Sequence, residues 1–280
     1  MKAHEARRAA SDISSVCTSA FPATAARWLA SLARHSYECA GRRSLGPADR
    51  VWARTGASFR TPTAAAVSLP PAYTAGAREM YCRNVYLRHG LTMPTSGWVV
   101  DLGANQGLFS VWAALAGARV VAVDVQQGYA AEIRRLAAHN GMADRVHVEI
   151  AIAGGVMPAG GSVGMVADDE VWSATSRGSP TRPAGMSVPQ LMSAYLIGRI
   201  GLLKADIEGG EFGLLAAGED LSWLRLVDQF VLEVHPRFGD VAALARRLRR
   251  HGFVINLCDN DHREVAATCD RVNYAYCRRP

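Results

Sequence analysis

The chain has 280 residues, of which 49% are hydrophobic and 20% are charged, and its formal net charge at pH 7 is +6. This length suits one α/β domain with an appended segment, and the apolar content suits a globular protein with a hydrophobic core. The sequence contains no run of about 18 apolar residues and no apolar stretch typical of a secretory signal, so neither a transmembrane helix nor secretion is predicted. We therefore expect a cytoplasmic protein without a membrane partner.

The positive charge is concentrated in the N-terminal segment. Residues 1–60 hold ten Lys and Arg but only four Asp and Glu, a difference of six that equals the whole net charge. Because an enzyme acting on nucleic acid carries its basic residues around the active site, we expect no nucleic-acid partner. We interpret residues 1–76 as a basic extension that caps the main body or forms a homodimer contact, and residues 77–280 as the catalytic domain.

Several elements of the first 90 residues can be predicted from their patterns. Apolar residues at helical spacing predict one or two helices within residues 1–40. Residues 41–71 are richer in Gly, Pro, Ser and Thr, which predicts loops and short strands around residues 51–53 and 64–69. A further helix is predicted over residues 77–89, leading into the first core strand.

The sequence is organised around residues 98–125, which predict a strand, a tight turn, a helix and a second strand. The first strand ends at Asp101 and the second at Asp124, and between them Gly103, Asn105 and Gly107 form the turn. This is the βαβ unit of nucleotide-binding proteins, in which the acidic residue after the second strand binds ribose hydroxyls. The same glycines also suit a purely structural turn in any βαβ unit.

The turn departs from the pattern that binds a pyrophosphate. Asn105 stands where a G-x-G-x-x-G motif has its second glycine, and Asp101 adds a negative charge beside the turn. A site with two acidic residues and no phosphate cradle favours a cationic nucleoside without phosphates. S-adenosylmethionine is such a molecule.

The remaining chain continues the alternation of strands and helices. The pattern predicts, in order, a helix over 127–139, a strand over 145–152, a loop over 154–183 with a short strand at 163–166, a helix capped by Ser187, a strand over 200–205, a strand over 226–234, a helix over 241–251 and a hairpin of 252–258 with 272–277. This order predicts a mostly parallel α/β sheet with helices on both faces and an antiparallel last strand. Ligands bind beyond the carboxyl ends of such strands, where Asp101, Asp124, Ile152, Asp206 and His235 are expected.

Three segments carry a resemblance to a known family. VVDLGANQGLFS at 99–110, LLKADIEGGEF at 202–212 and VLEVHP at 231–236 resemble the signatures of the FkbM-type S-adenosylmethionine-dependent methyltransferases, and the resemblance covers residues 78–280. It implies a Rossmann-like, seven-stranded methyltransferase fold, S-adenosyl-L-methionine as cofactor, and methylation of a hydroxyl on a small natural product or sugar. The sequence departs from the family at Asp124-Val125, where a Glu-Pro pair is usual, and at residues 188–191, which lack a common acidic residue.

The site residues follow from the strand ends and from this resemblance. The cofactor-binding candidates are Asp101, Gly103, Ala104, Asn105, Gly107, Asp124, Val125, Ala151, Ile152 and Asp206. His235 is the first candidate for the general base, because its side chain titrates near neutral pH, and Asp206, Glu208 and Glu211 are the other catalytic candidates. No metal ligand is assigned, although Asp206 and His235 could instead hold a divalent ion.

Three other functions remain possible for the chain at this point. An N-methyltransferase acting on an amino sugar or similar amine needs the same cofactor site. A nicotinamide-dependent reductase is disfavoured by Asn105 and by the lack of a Tyr-x-x-x-Lys pair. A non-catalytic protein that binds the cofactor would keep the turn without using the catalytic residues.

Overall fold

The computed structural model describes residues 3–73, 76–153 and 184–280. The predicted loop over 154–183, with its short strand at 163–166, lies outside the described residues. Among the described helices, none combines the length and the hydrophobicity needed to cross a membrane.

The N-terminal segment is mostly helical. Its elements are α1 (Ala3–Ser19), α2 (Pro22–Arg34), α3 (Ser36–Arg42), α4 (Gly46–Thr55) and the antiparallel strands β1 (Ala57–Arg60) and β2 (Ala66–Leu69). A π-helix (Arg78–Arg83) follows this segment. The strand predicted at residues 51–53 is wrong, because these residues belong to α4. Pro47 opens that helix in its first turn, and the ring of Trp52 stacks on that of Trp28 at 6.1 Å.

The helix predicted over residues 77–89 is much shorter than expected. The helical segment is the π-helix, and it ends at Asn84, whose backbone is left-handed with a φ of 49°. Because an L-residue in this conformation stops a right-handed helix, the following residues run as a loop toward the sheet. This loop carries Tyr86 to the carboxyl ends of the strands.

The second part of the chain forms the sheet and its covering helices. Its elements are β3 (Trp98–Leu102), α5 (Leu108–Ala116), β4 (Arg119–Asp124), α6 (Gln127–His139), β5 (Val146–Ile150), β6 (Ile152–Ala153), β7 (Gly185–Met186), α7 (Val188–Ala194), β8 (Ile200–Ala205), α8 (Glu211–Leu214), a 3₁₀-helix (Ser222–Leu226), β9 (Val227–Glu233), a 3₁₀-helix (Pro236–Phe238), α9 (Val241–Arg250), β10 (Val254–Cys258) and β11 (Tyr274–Arg278). The predicted cap of α7 is confirmed, because the Ser187 side chain accepts the N–H of Gln190 and the Gln190 side chain accepts the N–H of Ser187.

Seven of these strands form one sheet in the order β10-β11-β9-β8-β3-β4-β5. The pairs β3–β4, β3–β8, β4–β5 and β8–β9 are parallel, whereas β11 runs antiparallel to both of its neighbours. The mostly parallel sheet with an antiparallel last strand is therefore confirmed. The chain proceeds outward from β3 to β5 and then returns to β8 on the other side of β3, which makes the β3–β8 boundary the topological switch point.

Both faces of the sheet are covered. Val99 of β3 belongs to one hydrophobic cluster with Trp112 of α5, whereas its neighbour Val100 belongs to a second cluster with Leu244 of α9. This alternation follows from the opposite directions of successive side chains along a strand. Trp28 of the N-terminal segment is buried in the same cluster as Trp112, so the helices of residues 3–55 pack on the α5 side of the sheet.

Candidate active site

The turn between β3 and α5 lies against the end of β8. Gly103 has a φ of +73°, and a Cβ atom there would lie 1.7 Å from the backbone oxygen of Asp206. Glycine is therefore required at this position both by conformation and by space. Asn105 adopts a left-handed φ of 51°, which asparagine tolerates better than most residues. The tight turn brings residues 103–107 and Asp206 to one edge of the sheet.

Asp124 fixes the turn from the end of β4. Its carboxylate accepts the backbone N–H of Asn105 at 2.8 Å and that of Gln126 at 2.9 Å. Burial raises the pKa of Asp124, while these two hydrogen bonds lower it. The backbone N–H of Ala151 donates to the carbonyl of Asp124 at 3.1 Å, so the predicted residues at the ends of β4 and β5 lie side by side.

Asp101 lies behind the cleft rather than in its lining. Its side chain is fully buried, accepts the hydroxyl of Ser110 at 2.6 Å and lies 3.1 Å from the ammonium of Lys204. Lys204 also donates to the carbonyl of Gly103 at 2.7 Å. Asp101 therefore reaches the turn through Lys204.

A cleft of about 230 Å³ opens beside the turn at the carboxyl edge of the sheet. Its charged and phenolic side chains are Glu79, Tyr86, Lys204, Asp206, Glu208, Glu233 and Tyr274. Four carboxyl groups thus face one ammonium group. A cleft of this charge favours a cationic ligand.

Tyr86 joins two of these carboxyl groups. Its hydroxyl oxygen lies 2.9 Å from Oδ2 of Asp206 and 3.2 Å from Oε2 of Glu233. A phenol has one hydrogen to donate, so two full hydrogen bonds require that one carboxyl group brings its own proton. Burial and the charge of Asp206 raise the pKa of Glu233 to about 8, which makes Glu233 the group that holds this proton at neutral pH.

His235 is held between two glutamates. Its Nδ1 lies 3.2 Å from Oε1 of Glu211, and its Nε2 lies 3.4 Å from Oε2 of Glu208. Burial alone would lower the pKa of His235, but Glu211, Glu208 and Asp206 together raise it to about 9. The imidazole is therefore protonated at neutral pH, and this geometry does not favour it as a proton acceptor.

Glu211 is buried and stabilises the local backbone. Its side chain is fully buried, and Oε1 accepts the backbone N–H of Ile207 at 3.0 Å as well as the contact from His235. It therefore supports the turn that follows Asp206. Glu208 is largely exposed and belongs with Asp206 and His235 to a group whose potential metal-ligand atoms all lie within 4.8 Å of one another.

Two residues of this site were not assigned from the sequence. Lys204 and Glu233 are charged residues inside the apolar runs of β8 and β9. A charged side chain in a buried strand requires either an oppositely charged partner or a change of protonation to its neutral form. A charged residue within an apolar strand is therefore the sequence feature that could have identified Lys204 and Glu233.

Residues at the carboxyl edge of the sheet fit S-adenosylmethionine, the cofactor that the family resemblance implies. Asp124 at the end of β4 offers a carboxylate for the ribose hydroxyls, and the apolar residues Ala151 and Ile152 after β5 suit an adenine, although none of the three lines the cleft itself. The carboxylate of Asp206 suits the positive charge of the methionine amino group.

Comparison with known proteins agrees with this arrangement. Residues 101–255 match the model of the methyltransferase FkbM domain. The 31-O-demethyl-FK506 methyltransferase FkbM of Streptomyces tacrolimicus is 27% identical over 210 residues, which cover 64% of this chain and 80% of that protein. The AMB antimetabolite synthetase AmbE of Pseudomonas aeruginosa is 28% identical over 224 residues, which cover 64% of this chain but 10% of that protein.

Among solved structures, similarity is found to methyltransferases of low sequence identity. Precorrin-6y C5,15-methyltransferase from Geobacter metallireducens is 12% identical with a TM-score of 0.37, and the match covers 65% of this chain and 78% of that one. A TehB-like SAM-dependent methyltransferase from Corynebacterium glutamicum is 11% identical with a TM-score of 0.36, covering 66% and 79%. The family match spans more than half of the chain and includes the turn, Asp124, Asp206 and Glu233. The chain therefore belongs to the FkbM family of S-adenosylmethionine-dependent methyltransferases.

Proposed function

We propose that the protein methylates a hydroxyl group of a small molecule. The observation that carries this proposal is the contact of the Tyr86 hydroxyl with the carboxyl groups of Asp206 and Glu233. A hydroxyl is a weak nucleophile until its proton is leaving, so O-methylation benefits from a base of this kind. The name of the Streptomyces relative supports it, because 31-O-demethyl-FK506 lacks a methyl group on an oxygen.

The cofactor supplies an electrophilic methyl group when it is bound. We assign the ribose contact to Asp124 and Val125, the adenine contact to Ala151 and Ile152, and the contact with the amino-acid part to the turn of residues 103–107 and to Asp206. Asp101 positions this turn through Lys204, which bonds to the carbonyl of Gly103. Asp101 is thus a positioning residue and has no direct ligand contact in this proposal.

We assign the general base to Glu233. Its carboxylate accepts the proton of the acceptor hydroxyl as the new oxygen–carbon bond forms, and Tyr86 and Asp206 hold the carboxyl group in place. A base with a pKa of about 8 combines a useful ionised fraction near neutral pH with good proton affinity. Glu208 and Asp206 line the same cleft and can orient the acceptor, whereas Glu211 and His235 support the turn after β8.

N-methylation is the second candidate. The four carboxyl groups of the cleft would also attract a cationic amine. The two reactions differ in their need for a base during the transfer itself, because a free amine already has an available lone pair.

Methyl transfer from cofactor labelled with ¹³C in its methyl group tests this proposal. The protein is incubated with hydroxyl and amino acceptors, including 31-O-demethyl-FK506 and simple sugars and amino sugars, and the product is identified by NMR. We expect an O-methyl signal, and Glu233→Gln should lower its rate by about 10²–10⁴-fold, whereas the exposed-site control Glu219→Gln should not. An N-methyl signal alone would overturn O-methylation. Full activity of Glu233→Gln would overturn the assigned base.

We assign no metal to Asp206, Glu208 and His235. The proton on His235 and the ammonium of Lys204, 3.9 Å from Asp206, already supply positive charge to this group. Dialysis against EDTA should leave turnover unchanged. Loss of turnover that Mg²⁺ restores would instead support a divalent ion at these residues.

We also propose that the N-terminal segment caps the cleft. Arg78 of the π-helix bonds to Asp12 of α1 at 2.6 Å and to Asp49 of α4 at 3.1 Å, with all three side chains largely buried. Since Glu79 of the same π-helix lines the cleft, these ion pairs connect residues 1–76 to the site. Analytical ultracentrifugation tests the alternative role, because a dimer that is lost on substitution of exposed Leu29 would indicate a homodimer contact.

A further inference from the structure

A second cavity, of about 490 Å³, lies where α1, the π-helix and the loop between β10 and β11 meet. We call it the arginine pocket. Its charged lining consists of Arg8, Arg83, Arg88, Arg263, Asp12 and Asp261. Nothing in the methyl-transfer site described above uses these residues.

The arginine pocket has a surplus of positive charge. Four guanidinium groups face two carboxylates, and each carboxylate is shared between two arginine side chains. Asp12 bonds to Arg78 at 2.6 Å and lies 3.6 Å from Arg83, and Asp261 lies 3.6 Å from Arg8. Guanidinium groups bind oxyanions such as phosphate and carboxylate through paired hydrogen bonds.

Arg88 is the least neutralised of the four. Its guanidinium donates to the backbone carbonyl of Asn84 at 3.1 Å and to that of Arg83. Within the described ranges it has no carboxylate partner. An oxyanion in the pocket would therefore supply the opposite charge that this side chain lacks.

His262 lines the same pocket and carries a buried hydrogen-bond acceptor beside it. The hydroxyl of Tyr276 donates its one hydrogen to the carbonyl of Val85 at 2.6 Å, so it accepts from Nδ1 of His262 at 2.8 Å. The proton of the neutral imidazole is then on Nδ1, and Nε2 is an acceptor. Nε2 is buried and has no hydrogen-bond partner among the described residues.

The arginine pocket and the cleft share their walls. The ring of His262 lies 5.0 Å from that of Tyr274, which lines the cleft. The π-helix contributes Glu79 to the cleft and Arg83 to the pocket. The two cavities are therefore adjacent.

We propose that the arginine pocket binds an oxyanion group, phosphate or carboxylate, of a hydroxylated acceptor. This inference rests on the proposed function, because it assigns the pocket to the molecule that is methylated. The guanidinium groups bind the anion, and the hydroxyl to be methylated lies in the cleft. The class of acceptor is thus a hydroxy acid or a sugar phosphate.

Calorimetry with inorganic phosphate, at constant ionic strength kept with chloride, tests the anion site without any turnover. We expect saturable binding that Arg88→Gln weakens by about ten-fold or more. Arg8→Gln should also weaken phosphate binding. This second variant keeps the test valid if Arg88→Gln fails to fold. Arg27→Gln, on the exposed face of α2, is the matched control and should bind as the unmodified protein does. Absence of saturable binding, or equal binding by Arg88→Gln, would overturn the anion site.

A second experiment tests whether the bound anion belongs to the methyl acceptor. Glucose 6-phosphate and tartrate are compared with glucose as methyl acceptors, so that phosphate and carboxylate are examined separately. We expect turnover of an anionic acceptor, with a KM that Arg88→Gln raises by about ten-fold at nearly unchanged kcat. Turnover confined to neutral acceptors would overturn the assignment to the acceptor. Binding of S-adenosylhomocysteine is measured in parallel, because its absence would contradict the proposed function and not the anion site.

Discussion

The ammonium group of Lys204 lies 3.1 Å from Oδ1 of Asp101, and the two side chains are 4% and 0% exposed. This ion pair joins the first and fourth strands in sequence of the parallel sheet at the topological switch point. Lys204 extends the connection to the carbonyl of Gly103. The conformation of the turn of residues 103–107 thus depends on the buried ammonium group of Lys204.

Asp101→Asn should therefore destabilise the protein strongly. The substitution leaves the ammonium of Lys204 buried without its nearest counter-charge, which costs roughly 3 kcal/mol of unfolding free energy. Urea unfolding measures this loss. The exposed pair of Arg199 and Asp228 is the control, because Asp228→Asn should cost at most about 1 kcal/mol. Equal losses for the two variants would contradict the structural role of Asp101.

The proton on Glu233 can be observed directly. In protein labelled with ¹³C at glutamate carboxyl groups, one resonance should titrate near pH 8, and Glu233→Gln should remove it. Because a base acts in its ionised form, kcat/KM should rise as the pH increases through the same value. A Glu233 resonance that titrates near the usual value of a glutamate would contradict the proton that we place in the Tyr86 contact.

The stability that His235 contributes should depend on pH in a defined direction. Its pKa is raised from 6.5 to about 9 in the folded state, so the folded protein holds this proton more tightly than the unfolded chain. The contribution is complete below pH 6.5 and is lost as the pH rises through 9. Thermal unfolding of the unmodified protein and of His235→Gln should therefore differ most at pH 6 and least near pH 10. A difference that does not change with pH would show that the ion pairs of His235 contribute nothing.

Asp124→Asn should weaken binding of S-adenosylhomocysteine by roughly ten-fold to a hundred-fold. The asparagine loses the charge and one of the acceptor oxygens that the ribose contact uses. Calorimetry measures the affinity, and Asp144→Asn, on the exposed turn after α6, serves as the control. Unchanged affinity of Asp124→Asn would remove Asp124 from the cofactor site.

The repeated elements of the sheet could be predicted because local pattern and tertiary structure agree there. Strand β4 ends at Asp124 and helix α6 spans residues 127–139, as the pattern predicts, and Asn140 caps the end of α6. The turn of residues 103–107 is equally predictable, since Gly103 and Gly107 have positive φ values of 73° and 84°. The space that Gly103 leaves for Asp206 is a contact with a distant residue, which the local pattern does not show.

The remaining features depend on contacts between distant residues. The pattern predicts short strands or loops around Trp52, because the packing of Trp52 on Trp28 does not show in a local pattern. His235 looked like a base because its usual pKa is near neutral, but Glu208 and Glu211 change that value in the folded protein. Glu233 belongs to the segment VLEVHP, but the sequence suggests no role for it, because only the fold brings the Tyr86 hydroxyl within hydrogen-bond distance of its carboxyl group.

The position of β11 affects the order in which the sheet can be assembled. Strand β10 precedes β11 in the chain, yet it joins the sheet only through β11, which pairs with β9 on its other side. During synthesis, β10 therefore cannot pair with the sheet until residues 274–278 have been made. Removing residues 274–280 would therefore detach two strands. It would also take Tyr274 from the wall of the cleft and would remove the Tyr276 hydroxyl that holds His262 beside the arginine pocket.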